Sequence, residues 1–274
     1  MRRCPGRWWW IGVAALLLAR PVAAAESVPG GIYLHPLPDG VSAVRYENRP
    51  VLIYRGVAIV GLDLATDPGT HDLELTYTDG HREIRHFEVS DKRYTEQRLT
   101  IENPRMVNPL PEDLARIRSE TARMRAQYRL FTELPDGPLL FAQPVAGPLS
   151  SSFGRRRVLN GQPRSPHSGL DIAADKGTPV ASPAPGTVTL TGDFYFNGNT
   201  VFVDHGGGLV SMMCHLSRID VSEGDHVQRG DVLGLVGATG RVTGPHLHWS
   251  VSMNGNRVDP VQVMTLFRDA PADP

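Results

Sequence analysis

A chain of 274 residues is long enough for one large domain or two ordinary ones, and its 28 glycines and 23 prolines mark many turns and few long helices. That composition points to a mainly β protein. With 28 basic against 29 acidic residues, a formal net charge of -1, the chain lacks the basic excess of a nucleic-acid binder.

The first residues, MRRCPGRWWWIGVAALLLARPVAAAE, place basic Arg2, Arg3 and Arg7 before an apolar run from Trp8 to Ala19, and small residues follow up to Ala25. This is the order of a secretory signal peptide over residues 1–25, cleaved after Ala25. The apolar run falls short of the ~20 residues that span a bilayer, so the mature chain is expected to be exported, to the periplasm first of all, and not membrane-spanning. Cys4 leaves with the signal, and Cys214 remains as a single cysteine without a disulfide partner.

From residue 26 to about 105, short apolar runs alternate with turn residues. Leu73 to Tyr77 and Ile84 to Val89 read as strands flanking a TDGH hairpin turn, in a β-sandwich-like N-terminal module. Residues 106–138 form a linker containing one amphipathic helix, about Glu112 to Leu130, with Leu114, Ile117, Met124 and Tyr128 on its apolar face. Its arginines read as a solvated coat. Residues 139–268 return to strands and turns and form the second β domain.

Chemistry concentrates in that second domain. In HSGLD, His167 and Asp171 are four apart, and the neighbouring Pro166 and Gly169 favour a strand over a helix. In HLHWSV, strand alternation puts His246, His248 and Ser250 on one face and Leu247, Trp249 and Val251 on the other. His215, in MMCHLS, is a further candidate. Each signal alone has a bland explanation in ordinary hydrogen bonding; together they favour a metal hydrolase, because catalytic zinc takes three protein ligands and a water. His205 reads as a structural or loop residue and His226 as exposed. Cys214 reads as a small buried apolar side chain pointing away from His215. The Arg155 to Arg157 run reads as an exposed charged turn or as a contact for an anionic partner.

The stretches SSFGRRRVLNGQPRSPHSGLDIAADKGTPV, GNTVFVDHGGGLVSMMCHLS and EGDHVQRGDVLGLVGATGRVTGPHLHWSV resemble the LytM and lysostaphin-type zinc metallopeptidases, over roughly residues 140 to 265. The resemblance implies a twisted antiparallel β-sheet domain, one zinc ion bound by His167, Asp171 and His248, and a catalytic pair, His215 and His246. It also implies the substrate, the peptide cross-bridges of bacterial peptidoglycan. One departure is visible: many members have Tyr two places before the histidine of the HL pair, and here Met213 stands there. Altered packing is expected from it, with the ligands untouched.

Such a site would lower the pKa of zinc-bound water toward ~7, with His215 and His246 handling protons. Two alternatives are weighed: a catalytically weak wall-binding regulator or amidase activator, against which the complete ligand set speaks, and a non-haem iron oxygenase, whose iron takes the same donors. Export to a compartment poor in reduced cosubstrates speaks against the second. The segment NPRMVNPLPEDLARI and its helix are expected first to target or stabilise the enzyme, with restriction of access to the site, until an envelope regulator or proteolysis moves them, as the second reading.

Overall fold

The computed structural model describes residues 27–268. The signal-peptide segment lies outside them. No helix among the described residues is long and apolar enough to cross a membrane.

The N-terminal part is two small sheets. One orders Ile32–Pro36, Val57–Gly61 and Leu52–Tyr54; the other orders Arg49–Pro50, Val41–Tyr46, Gly69–Tyr77 and Arg82–Val89. The expected hairpin is present, closed by a turn in which Gly80 takes φ +89, a value glycine adopts freely. Val44, Tyr46, Leu73, Leu75, Phe87 and Val89 fill the space between these sheets.

The C-terminal part is one large antiparallel sheet. Its path runs His226–Val227, Gly186–Phe194, Gly198–Asp204, Val210–Ile219, Leu247–Met253, Leu170–Ile172 and Leu149–Ser151. Strand Leu247–Met253 is buried along its whole length. Leu247, Trp249 and Val251 enter the main core, as the alternation predicts, and Met213 lies opposite Trp249 in the same core. Cys214 packs with Met212, Phe194, Phe202 and Tyr128 on the other face, and burial pushes its thiol up, which removes it as a nucleophile.

The helix is Asp113–Gln127, and its docking differs from the amphipathic expectation. Leu114 is exposed, whereas Asp113 and Glu120 are the buried residues. Glu120 accepts from the backbone N–H of Tyr195 at 2.7 Å, and Asp113 accepts from Arg105 at 2.7 Å and from the Tyr195 hydroxyl at 3.0 Å. The helix is thus held on the sheet by carboxylates whose desolvation is compensated by charged and backbone donors. Ile117 and Met124 are partly buried on that same face and Tyr128 fully.

The two β regions share one core. Ile32, Leu52 and Ile59 pack in the same cluster as Leu247, Trp249 and Val258. Across this contact Asn254 accepts from Gly61 N–H at 2.7 Å and donates to Gly61 C=O at 3.1 Å, and Asn256 donates to the same carbonyl at 2.9 Å. A side chain on Gly61 would meet Met253 at 2.8 Å.

Because Asn254→Ala strips the buried Gly61 N–H of its acceptor and leaves the Gly61 carbonyl with Asn256 alone, it should cost about 1–3 kcal/mol in urea unfolding. The transition should remain single, since the core is continuous; an unchanged midpoint would contradict this account of the contact.

Candidate metal centre

Antiparallel pairing of Leu170–Ile172 with Leu247–Met253 sets Asp171 directly opposite His248. His167 precedes the first of these strands, and its ring comes back over Asp171. Three donor atoms meet: His248 Nδ1 lies 2.8 Å and His167 Nε2 2.9 Å from Asp171 Oδ1, and the two nitrogens are 3.0 Å apart. Zinc ligands at about 2.0–2.2 Å in a tetrahedral set stand about 3.3 Å from one another, so this triangle admits the ion by opening a few tenths of an ångström. Among the described residues this trio is the group of His, Cys, Asp or Glu with metal-holding spacing.

Gly169 makes the approach possible. A Cβ there would lie 2.6 Å from the His248 ring and 2.7 Å from the Trp249 carbonyl.

The outer contact of each ring lets it turn a lone pair inward. His167 Nδ1 is 2.9 Å from the Ser152 carbonyl and can donate to it, which frees Nε2 for a metal. His248 Nε2 is 2.9 Å from Ser250 Oγ, a hydroxyl able to accept or to donate; with the hydroxyl accepting, Nδ1 is free for a metal, and without a metal Nδ1 can donate to Asp171 Oδ1 at 2.8 Å. Both rings are oriented by an outer hydrogen bond.

His215 and His246 complete a four-histidine cluster, with ring centroids 5.0 Å apart and His215 5.9 Å from His248. His215 Nδ1 donates to the Thr239 carbonyl at 2.8 Å, and His246 Nδ1 to the Gly244 carbonyl at 2.9 Å. His246 Nε2 is 3.8 Å from Asp171 Oδ1. The structure thus brings all five sequence-predicted residues to one place.

His215 occupies a β-bulge. Val201 pairs with Met213 and Asn199 with Leu216, so Cys214 and His215 together stand opposite Thr200. His215 takes φ +66, a left-handed conformation that costs on the order of 1 kcal/mol in a residue with a Cβ, and its N–H is satisfied by the Asn197 carbonyl at 2.9 Å. The bulge breaks the strand alternation, which is why simple periodicity does not assign this side chain to a face.

Burial, reinforced by the neighbouring imidazoles, lowers His215 to about 3; burial lowers His248 to about 4 against the pull of Asp171. Burial alone would raise Asp171, but the His167 and His248 rings, which can donate to it when no metal takes their inward nitrogens, hold its carboxyl well below the usual range. Neutral imidazole and ionised carboxylate are the forms a metal requires. His205 is equally buried, lowered to about 4 by that burial, and bonded to the Pro185 carbonyl and Ser211; it is structural, as its sequence context suggests.

Three contributors escape the sequence reading. Arg157, expected in a charged turn, lies on strand Arg156–Leu159 and donates to Asp171 Oδ2 at 3.2 Å. That strand pairs in parallel with Glu96–Leu99 from the segment after the N-terminal sheets. Thr239 and Ser152 act through backbone carbonyls, which no side-chain pattern reports; Ser250 was placed on the histidine face by alternation alone. Two cavities open at the centre. One of about 250 Å³ reaches Asp171, His215 and His246, and one of about 890 Å³ reaches His167, His215 and His248.

Gly169→Ala should expel the His248 ring from its position and lower zinc affinity at least tenfold in a competitive chelator titration; wild-type affinity would contradict the packing argument. A second expectation concerns pH. His205, His215 and His248 sit below their ordinary value of 6.5, so between pH 6.5 and about 4 the unfolded chain binds protons the folded chain does not. Their contribution is intact above pH 6.5 and is lost as pH falls through that window. Melting of metal-free protein should track it, and a midpoint independent of pH from 7 to 4.5 would refute it.

Residues 165–260 match the model of peptidase family M23, and residues 25–92 match the model of the peptidase family M23 N-terminal domain. The DD-carboxypeptidase/endopeptidase Mpg of Neisseria meningitidis is 43% identical over 115 residues, 42% of this chain and 26% of the relative. The peptidoglycan DD-endopeptidase ShyA of Vibrio cholerae is 42% identical over 112 residues, 40% of this chain and 26% of the relative. The chain thus spans about a quarter of the length of these curated relatives. A crystal structure of a peptidase M23 chain from Pseudomonas aeruginosa superposes with a TM-score of 0.74 at 44% identity, covering 88% of this chain and 96% of that one. With both β regions matched by the family's models and nearly the whole chain shared with a solved relative, this protein belongs to peptidase family M23.

Proposed function

We propose that the chain is an exported zinc-dependent endopeptidase that hydrolyses peptide cross-links of bacterial peptidoglycan, with zinc on His167, Asp171 and His248 and with His215 and His246 as the catalytic pair. The observation that carries this reading is the convergence of His167 Nε2, His248 Nδ1 and Asp171 Oδ1 within 3.0 Å of one another, with His215 and His246 beside them. Each of the four rings has its other nitrogen tied to a carbonyl or serine oxygen. Family membership and the DD-endopeptidase names of the relatives support the substrate class.

Bound at this trio, zinc supplies Lewis acidity toward the scissile carbonyl and the attacking water. Asp171 contributes the only negative charge among the three ligands, so the centre stays positive. His215 and His246 divide the proton handling. One accepts a proton at Nε2 from the attacking water; the other, carrying a proton at Nε2 as imidazolium, stabilises the developing oxyanion or passes that proton to the leaving amine. The Thr239 and Gly244 carbonyls hold Nδ1 of both rings, which leaves Nε2 for this proton traffic. Arg241 and Arg164 donate to the carbonyls of Met106 and Val107, so the segment after the N-terminal sheets lies against the groove. That contact supports the restricting role for this segment, relieved by an envelope partner.

Asp171→Ala should lose both zinc and hydrolysis of purified peptidoglycan. His215→Ala and His246→Ala should each retain stoichiometric zinc by elemental analysis while turnover drops by about 10²–10⁴. Near-normal release of muropeptides by either variant would remove that histidine from the mechanism.

A further inference from the structure

The charge around the metal centre is one-sided. Seven arginines line the cavity of about 890 Å³, against a single carboxylate, Asp63. Three of the seven cluster near the histidines. Arg157 meets Asp171 Oδ2, and its Nε is buried without a hydrogen-bond partner. Arg164 donates only to neutral oxygens, those of Pro163, Val107, Asn108 and Gln162. Arg241 lies 4.4 Å over the Phe196 ring and donates to the Met106 carbonyl at 3.4 Å. Burial, and then Arg157 and Arg164 beside it, bring Arg241 down to about 10.

Buried charge persists in proteins when it is paired. Here all three guanidiniums are half-buried and only Arg157 meets a carboxylate, one that also faces His167 and His248, while the contacts of Arg164 and Arg241 are to neutral groups. The unmatched charge points to an anionic group brought by the substrate. Guanidinium is planar and offers paired N–H donors, so it matches a carboxylate, and the carbonyls of Met106 and Val107 are neutral stand-ins that such a group would displace. The chain as a whole carries a formal charge of -1, so the cationic character is local to this groove and not that of a general polyanion binder.

We propose that Arg157, Arg164 and Arg241 form a carboxylate-recognition site beside the metal centre, which takes the free carboxylate on the residue supplying the leaving amine and so sets specificity for cross-links that carry one. The inference rests on the peptidase reading above. Arg157 has a second part as a positioning residue for Asp171, so the test uses Arg164 and Arg241.

The test compares two cross-linked muropeptide dimers that differ at one group, the carboxylate next to the scissile amide, free in one and carboxamide in the other. Wild-type enzyme should favour the free form by roughly tenfold or more in kcat/KM, chiefly through KM, as expected for charge-assisted hydrogen bonds. Arg164→Gln and Arg241→Gln should bring the ratio toward one. Partial misfolding lowers both rates together and leaves the ratio readable. No preference in wild type, or an undiminished preference in both variants, overturns the proposal. If neither dimer is cleaved, the peptidase reading fails by itself. Equilibrium binding of the same dimers to zinc-loaded protein then decides: tighter binding of the free form, lost in Arg241→Gln, upholds the site, and equal binding overturns it.

Discussion

The pairing of Asp171 with His248 across two antiparallel strands is the constraint on which the rest of the centre depends. Register places the two side chains face to face, and a slip of one residue in either strand would turn its ligand to the opposite side of the sheet. The slip is opposed by the other half of the same strand. Leu247, Trp249 and Val251 are fully buried in the main core, and moving them into the groove would expose that apolar surface. Core packing and ligand placement are therefore one interaction seen from two faces. Gly169 adds the missing space, because only a residue without a side chain lets the His248 ring lie against the neighbouring strand.

Around this pair the fold arranges strain and charge with a consistent direction. The His215 bulge holds a non-glycine residue at φ +66, and the compensations are local: the Asn197 carbonyl for its N–H and the Thr239 carbonyl for its ring. Burial keeps His215 and His248 neutral while their neighbourhood keeps Asp171 ionised. Each of these states is a cost in an apo protein at low pH. Each is also the state in which a metal and a proton acceptor work, so the destabilisation and the chemistry share a cause.

Much of this was legible in the residues. Alternation in HLHWSV separates the core face from the histidine face, and the strand Leu247–Met253 realises it. The hairpin around Gly80 follows from the Asp-Gly turn. The helix was legible in its extent and misleading in its face, because Asp113 and Glu120 are buried through partners, Arg105 and the Tyr195 backbone, that lie outside the helix. A charged residue at a helical position reads as solvated until its distant donor is known. Arg157 was obscured for the same reason: three consecutive arginines look like a surface turn, and only the parallel pairing with Glu96–Leu99 turns one of them toward Asp171. The division of labour between His246 and His248 came from family resemblance and not from spacing, which places both on one face alike.

The central claim is that His167, Asp171 and His248 hold the metal while His215 and His246 stand beside it. Anomalous diffraction at the zinc edge from crystals of zinc-loaded protein tests this most directly. The account predicts one peak at about 2.0–2.2 Å from His167 Nε2, His248 Nδ1 and an Asp171 carboxylate oxygen, with both other histidine rings outside bonding distance. A peak coordinated by His215 or His246 in place of any of the three, or no peak at this trio, would contradict it.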